Sequence, residues 1–362
     1  MALKILWFNW RCWLNPAKGG AEVFTHEVAK RWVEMGNEVT LFTSKFEGAK
    51  DEELVDGIRI IRAGGRFSVY REAQKYYSKR FIYEEFDFVV DEINTHPFFA
   101  QKMVKSGERV VALIHQLARE FWFYETPFPI SYIGYYYLES HWLKQYVDVP
   151  TVTVSESTKQ DLLDLGFNDV SIVPEGLNFE PSIDVPIKNQ NPVVVFLGRL
   201  TRAKRPDHAI RAFKCIRERF PLAELWVFGD GPLRNKLESH TLSGVKFFGN
   251  LENSKRRALL AKAWLLLVPG VREGWGLNVV ECNALGVPSV AYNVPGLRDS
   301  VKEGKTGFLV RSGDFEDLAE KAIAILEDAK HRQVLSLSAL RYAKTFSWDK
   351  TATEMIQKFR AV

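Results

Sequence analysis

Along most of the chain, short apolar runs alternate with longer stretches in which apolar residues return at helical spacing. In the second half the runs fall at 193–197, 225–228, 245–248, 265–268, 288–291 and 307–310. In the first half they are less regular, at 3–8, 39–42, 58–61, 88–90, 110–114, 151–154 and 171–173. A continuous apolar run bounded by turn residues predicts a strand buried on both faces. Such strands alternating with amphipathic helices predict βαβ units in a parallel, doubly wound sheet. A chain of 362 residues exceeds what one core ordinarily organises, so two Rossmann-like α/β domains are expected. The N-terminal domain spans 1–180 and the C-terminal domain 193–347, joined by the polar, proline-punctuated linker 181–192. The closing stretch 348–362 reads as a helix that could join the N-terminal domain, although the sequence identifies no docking partner for it.

Composition narrows the class. With 46% hydrophobic and 26% charged residues, the chain resembles a soluble globular protein. The longest candidate span, 263–268, is stopped by Pro269-Gly270, far short of the roughly 18 residues that a membrane requires. The opening Met1-Ala2-Leu3-Lys4 leads into an apolar patch without a small-residue cleavage site, and reads as a first buried strand rather than a leader. Cys12, Cys215 and Cys282 are far apart and lack metal-ligand spacing, which fits inert thiols in a reducing cytosol. A cytoplasmic location is therefore expected. The net charge of +4 conceals an asymmetry: residues 1–180 hold 20 Lys and Arg against 26 Asp and Glu, and the remainder 29 against 19. A positive second half suits an anionic ligand such as a nucleotide diphosphate, while so small a net charge argues against nucleic acid as a partner.

The candidate chemistry centres on Glu273 and Glu281. The first closes a Gly-rich loop after the apolar run, and the second lies about two turns into the helix that Gly276 opens. One carboxylate at a helix entrance and another facing the same crevice suit a nucleotide-sugar, with hydroxyls at both ends and a diphosphate between. Two solvated glutamates are the plain alternative, but the setting of strand, Gly-rich loop and helix favours a site. Gly198-Arg199-Leu200 and Lys204-Arg205 follow the run 193–197, where a glycine admits close approach and cations can neutralise a diphosphate. Arg199 and Lys204 are the candidates for ligand contact; Arg202 and Arg205 fit a solvated loop. Gly229-Asp230-Gly231-Pro232 forms a tight turn that serves structure or ligand equally well. Gly19-Gly20 sets a helix N-terminus where a phosphate could dock. His115 ends the run 110–114, at the carboxyl end of a strand.

Together, Gly19-Gly20, His115, Gly198-Arg199-Leu200 with Lys204, Gly229-Asp230-Gly231-Pro232 and the stretch from Glu273 to Glu281 resemble glycosyltransferase family 4. Members of that family have the GT-B fold, two Rossmann-like domains facing a central crevice. Val154-Ser155-Glu156-Ser157-Thr158 extends the resemblance to the segment before the linker. The resemblance implies retaining, metal-independent transfer of a hexose from a nucleotide-diphosphate sugar, such as GDP-mannose or a UDP-hexose, to an acceptor hydroxyl. It implies no further cofactor, a donor held mostly by the C-terminal domain, and a leaving phosphate that itself takes the acceptor proton. Carried over by position, Arg199 and Lys204 would bind the diphosphate, Glu273 the sugar hydroxyls and Glu281 the ribose. His115 would face the donor sugar and phosphate, and Gly20 would contact the phosphate from the N-terminal side. Glu273, His115, Arg199 and Lys204 are thus the expected catalytic set. Gly19, Gly20, Gly198, Gly274, Trp275, Gly276, Leu277 and Glu281 complete the expected donor site. Two departures stand out: Pro174-Glu175-Gly176-Leu177-Asn178 where the family usually has Pro-Asn-Gly-Val-Asp, and Trp275 where Phe or Leu is more usual.

The acceptor is expected to be a glycan or a lipid-linked sugar. In 66–83, Arg71, Lys75 and Lys79 recur at helical spacing opposite Tyr70, Ala73, Tyr77 and Phe81, and 121–146 is crowded with aromatics. A basic amphipathic helix can lie on an anionic membrane, giving peripheral association; a solvated face over an ordinary core stripe is the alternative. Two other functions stay open. A two-domain nucleotide-sugar epimerase would release free nucleotide without an acceptor, and a non-catalytic nucleotide-sugar-binding partner would have no need of both glutamates and the phosphate cations.

Overall fold

The structure, a computed structural model, describes residues 2–240 and 242–361. Met1, the first residue of the expected N-terminal domain, and Val362, the last of the expected terminal helix, lie outside the described residues. The chain divides into two units. Unit 1 comprises Met1–Arg119, Tyr132–Gly176 and Ser347–Val362; unit 2 comprises Glu120–Ser131 and Leu177–Phe346. The stretch 181–192 therefore falls in unit 2, and its bonding shows why. Lys188 Nζ donates to the carbonyls of Ala261 and Leu285 at 3.1 and 2.9 Å, and Ser182 N donates to Ala284 O at 2.8 Å.

Unit 1 is built on eight strands: β1 (Lys4–Phe8), β2 (Glu38–Thr43), β3 (Glu52–Val55), β4 (Ile58–Arg62), β5 (Phe88–Glu92), β6 (Arg109–Ile114), β7 (Thr151–Thr153) and β8 (Val170–Ile172). Their order is β3-β4-β2-β1-β5-β6-β7-β8, and every neighbouring pair is parallel except β3 with β4. Each apolar run of the first half forms a strand. The antiparallel edge strand β3 is not expected from apolar patterning, because Glu52–Val55 opens with two glutamates and alternates exposed with half-buried positions. Its signal lies in the turn: Val55 pairs with Ile58 across a two-residue Asp56-Gly57 loop in which both residues have positive φ, 49° and 76°. Asp-Gly is the residue pair such hairpins favour.

Unit 2 holds β9 (Val193–Leu197), β10 (Glu224–Phe228), β11 (Val245–Gly249), β12 (Leu265–Val268), β13 (Ser289–Tyr292) and β14 (Gly307–Val310). The order is β11-β10-β9-β12-β13-β14, all parallel. Helices Pro206–Arg219, Leu277–Asn283 and Phe315–Glu327 cover it, contributing Phe213, Ile216, Val279, Cys282, Leu318 and Ile325 to one core with the strands. Both sheets are thus doubly wound. Strand order reverses at β1, between β2 and β5, and at β9, between β10 and β12. Ligands bind such sheets at those switch points, beyond the carboxyl ends of the strands.

The terminal helix Trp348–Ala361 finds its partner in unit 1. Trp32 Nε1 donates to Ala352 O at 2.9 Å, the Trp32 ring meets Phe359 at 5.2 Å, and Trp348 meets Phe24 edge-to-face at 5.7 Å. Trp348 is 1% exposed, so truncating it to Ala costs about 3–5 kcal/mol. In the basic segment the helix Val69–Lys79 turns Val69, Ala73 and Tyr77 into the core and leaves Arg71, Lys75 and Lys79 exposed. Its apolar stripe is therefore consumed by packing, and Lys75 already pairs with Glu72 at 2.7 Å. Among the described residues no helix is long and apolar enough to cross a membrane.

Candidate active site

At the unit 2 switch point the loops after β9, β10 and β12 meet. Leaving β9, the chain runs through Gly198, Arg199 and Leu200. Leaving β10, the turn at Gly229 to Gly231 packs backbone to backbone on it, with Leu200 N donating to Asp230 O at 2.9 Å and Gly198 N to Phe228 O at 3.0 Å. A Cβ on Gly229 would lie 2.1 Å from Gly198 O, and one on Gly231 2.6 Å from Leu200 O. These two glycines accordingly hold the β9 loop in place. Arg199 and Arg202 stay exposed at its rim, while Lys204 and Arg205 are half-buried.

The loop after β12 joins the same group. Val271 N donates to Ala203 O at 2.9 Å and Glu273 N to Pro295 O at 3.0 Å, which presents the Glu273 carboxylate to the Lys204 ammonium. The two side chains, 14% and 19% exposed, form an ion pair. Gly274 and Leu277 are half-buried, and Gly276 caps the helix Leu277–Asn283 with φ of 89°. Asn278 Nδ2 fastens this helix to β9 by donating to Leu197 O at 2.9 Å. Glu281, its fifth residue, is 8% exposed and lies 3.4 Å from Arg256 Nη2. Trp275 is buried, and its ring meets Phe346 at 5.3 Å, so its bulk serves the interior of unit 2.

The excursion Glu120–Ser131 reinforces this loop pair. Glu120 Oε2 accepts from Arg272 Nε at 2.7 Å, and Tyr124 Oη accepts from Arg205 Nη2 at 2.5 Å. Arg272 is 4% exposed and directly precedes Glu273. In sequence the pair is 152 positions apart, and no local pattern announces it.

In unit 1, Gly19 precedes the helix Gly20–Glu34. The Gly19 amide donates to Glu22 Oε2 at 2.6 Å, and Glu22 is paired with Arg11 at 3.0 Å. His115 is the first residue after β6 and is 7% exposed. Its ring lies between two carboxylates, those of Glu92 and Glu175, each 3.4 Å from a ring nitrogen. Burial works against the charged ring, but the hydrogen bonds and charges of Glu175 and Glu92 outweigh it and raise the His115 pKa to about 9. Burial in turn raises the pKa of Glu92. Sequence reasoning does not single out either acid. The available signals are an acid ending the otherwise apolar strand β5, and the departure at Glu175. A cavity of about 590 Å³ opens at the opposite, amino end of the unit 1 strands, lined by Lys4, Asn37, Thr40, Arg59 and Glu84. Arg59 there is already paired with Glu52 and Glu84, and none of the candidate residues lines it.

Comparison with known proteins identifies the family and the fold. Residues 18–180 match the family described as Glycosyltransferase Family 4, and residues 180–341 match Glycosyl transferases group 1. A D-inositol 3-phosphate glycosyltransferase of Salinispora tropica is 33% identical over 191 residues, which cover 49% of this chain and 39% of that protein. The chain thus spans less than half of that relative's length. Sucrose-phosphate synthase from Thermosynechococcus elongatus has the same fold, with a TM-score of 0.80 at 20% identity over 99% of this chain and 98% of that one. HepE from Anabaena, solved in complex with UDP and glucose, matches with a TM-score of 0.71 at 16% identity over 99% of this chain and 100% of its own. With two matched halves that together span residues 18–341 and two Rossmann-like units of GT-B type, the chain belongs to the family 4-type glycosyltransferases.

Proposed function

We propose that this glycosyltransferase moves a hexose from a nucleotide-diphosphate sugar to an acceptor hydroxyl with retention of anomeric configuration and without a metal ion. The observation that carries the reading is the meeting of Lys204 and Glu273 at the unit 2 switch point, beside exposed Arg199 and with Glu281 buried in the helix that follows. A breaking sugar–phosphate bond places positive charge on the sugar and negative charge on the departing diphosphate. Lys204 and Arg199 serve the diphosphate in place of a metal, Glu273 aligns the sugar hydroxyls, and Glu281 takes the ribose hydroxyls. Gly198, Gly274, Gly276 and Leu277 give the donor close backbone approach, while His115, Gly19 and Gly20 are assigned to its sugar and phosphate by the family resemblance. The leaving phosphate oxygen takes the acceptor proton on the same face, so no side chain need act as base. GDP-mannose and the UDP-hexoses are the first donors to test; the UDP and glucose held by HepE favour the latter. The acceptor is a glycan or a lipid-linked sugar.

Glu273→Gln tests the reading by replacing a charged acceptor with a neutral one of the same shape. Transfer should fall by about fivefold for each sugar hydroxyl the carboxylate holds, since exchanging a charged hydrogen bond for a neutral one costs about 1 kcal/mol. Turnover within a factor of about two of the parent would remove Glu273 from the reaction.

A further inference from the structure

The ring of His115 has a carboxylate facing each of its nitrogens. Nε2 lies 3.4 Å from Glu92 Oε1 at the end of β5, and Nδ1 lies 3.4 Å from Glu175 Oε1 in the segment after β8. Each partner is itself fixed. Glu92 Oε2 accepts from Trp7 Nε1 at 2.8 Å and from Thr25 Oγ1 at 2.5 Å. Glu175 is held from behind by the terminal helix: Thr351 Oγ1 donates to Pro174 O at 2.7 Å, and a Cβ on Gly176 would lie 2.3 Å from Trp348 N. Phe24 covers one side of the ring edge-to-face at 4.9 Å, and Thr158 Oγ1 donates to the His115 carbonyl at 3.1 Å.

A neutral imidazole has one N–H and one lone pair. Facing a carboxylate at each nitrogen, it could donate to only one and would turn its lone pair on the other. The doubly protonated ring serves both. Glu22 on the helix Gly20–Glu34 also acts on Glu92 and is itself paired with Arg11. An amide at position 175 could donate or accept and would not oblige the second proton, whereas an ionised glutamate only accepts.

We propose that Glu175 is a positioning residue for the transfer reaction: with Glu92 it clamps both nitrogens of His115, fixing the ring's orientation and holding it as a cation at the carboxyl edge of unit 1. Held between the two carboxylates, His115 acts through its charge and placement. The part played in transfer rests on the proposed function; the state of the ring does not.

NMR of nitrogen-15-labelled histidine side chains reads that state directly, with His115 assigned by its loss in His115→Gln. In the parent, His115 should remain doubly protonated at neutral pH and give up its proton near pH 9. In Glu175→Gln and Glu175→Asn the midpoint should fall by about one unit or more, a tenfold easier deprotonation. Turnover of UDP-glucose and GDP-mannose, followed against pH, should fall in the parent as pH rises through about 9, and the same limb should move down in the variants. If one variant fails to fold, the other and the parent's own curve still decide. A neutral His115 in the parent at neutral pH, or a midpoint unmoved by either substitution, overturns the clamp. A midpoint that moves while the activity limb stays put overturns the positioning role. Absence of turnover in the parent with any nucleotide-sugar counts against the proposed function, and the NMR curves then judge the clamp alone.

Discussion

The ion pair between Lys204 and Glu273 predicts opposite effects on binding and on transfer. While the carboxylate holds the ammonium, an incoming diphosphate must compete for it. Both side chains are mostly buried, so the pair is less screened than one on the surface. Glu273→Gln converts a charged partner into a neutral one, and the difference between charged and neutral hydrogen bonds is about 1 kcal/mol. UDP or GDP should therefore bind about fivefold more tightly to Glu273→Gln than to the parent, while transfer falls. If Lys204 serves the diphosphate, Lys204→Ala should weaken nucleotide binding by about 1.5–3 kcal/mol, one to two orders of magnitude. The double variant should lose less than the sum, because Glu273→Gln also removes the carboxylate that Lys204→Ala leaves unpaired. Isothermal titration with each nucleotide, at low and at high salt, measures all four corners of this cycle. Weaker nucleotide binding by Glu273→Gln, or unchanged binding by Lys204→Ala, would refute the reasoning.

Two further predictions concern the same loops. If Arg199 and Lys204 replace a metal at the diphosphate, EDTA should leave turnover unchanged; activity lost to chelator and restored by Mg²⁺ or Mn²⁺ would overturn that assignment. If the excursion Glu120–Ser131 steadies the loop carrying Lys204, then Tyr124→Phe, which deletes its bond to Arg205, should cost about 1 kcal/mol in urea unfolding and raise the donor KM. No change in either would show that the excursion only rests there.

Much of this architecture was legible in the sequence because strands buried on both faces are written as apolar runs: β9 reads Val-Val-Val-Phe-Leu and is buried throughout. β3 escaped because an edge strand need not be apolar, and its Asp56-Gly57 turn was the cue. The aromatic stretch 121–146 gave no sign that its first part would belong to unit 2 and its remainder to unit 1. Local pattern does not encode which unit a segment packs on. In the site, Glu273, Glu281, Arg199 and Lys204 could be named from loop position and residue type, but the pairing of Lys204 with Glu273 depends on loops from β9 and β12 being neighbours across the sheet. The setting of His115 was hidden for the same reason, since Glu92 and Glu175 reach it from two other elements. Trp275 reads as a ligand residue by position and packs on Phe346 in the fold. The basic segment 66–83 reads from sequence as a membrane face or a solvated one, and in the fold the core takes Val69, Ala73 and Tyr77 from its apolar side.

The most direct test of the central claim follows the fate of an isotopically labelled nucleotide-sugar incubated with the protein and a panel of glycan and lipid-linked acceptors, with products read by mass spectrometry and the new linkage by NMR. The account predicts release of the nucleoside diphosphate in step with a glycosylated acceptor whose new bond keeps the anomeric configuration of the donor. An inverted linkage would contradict the retaining mechanism, and release of free nucleotide with an epimerised sugar and no acceptor product would contradict transfer itself.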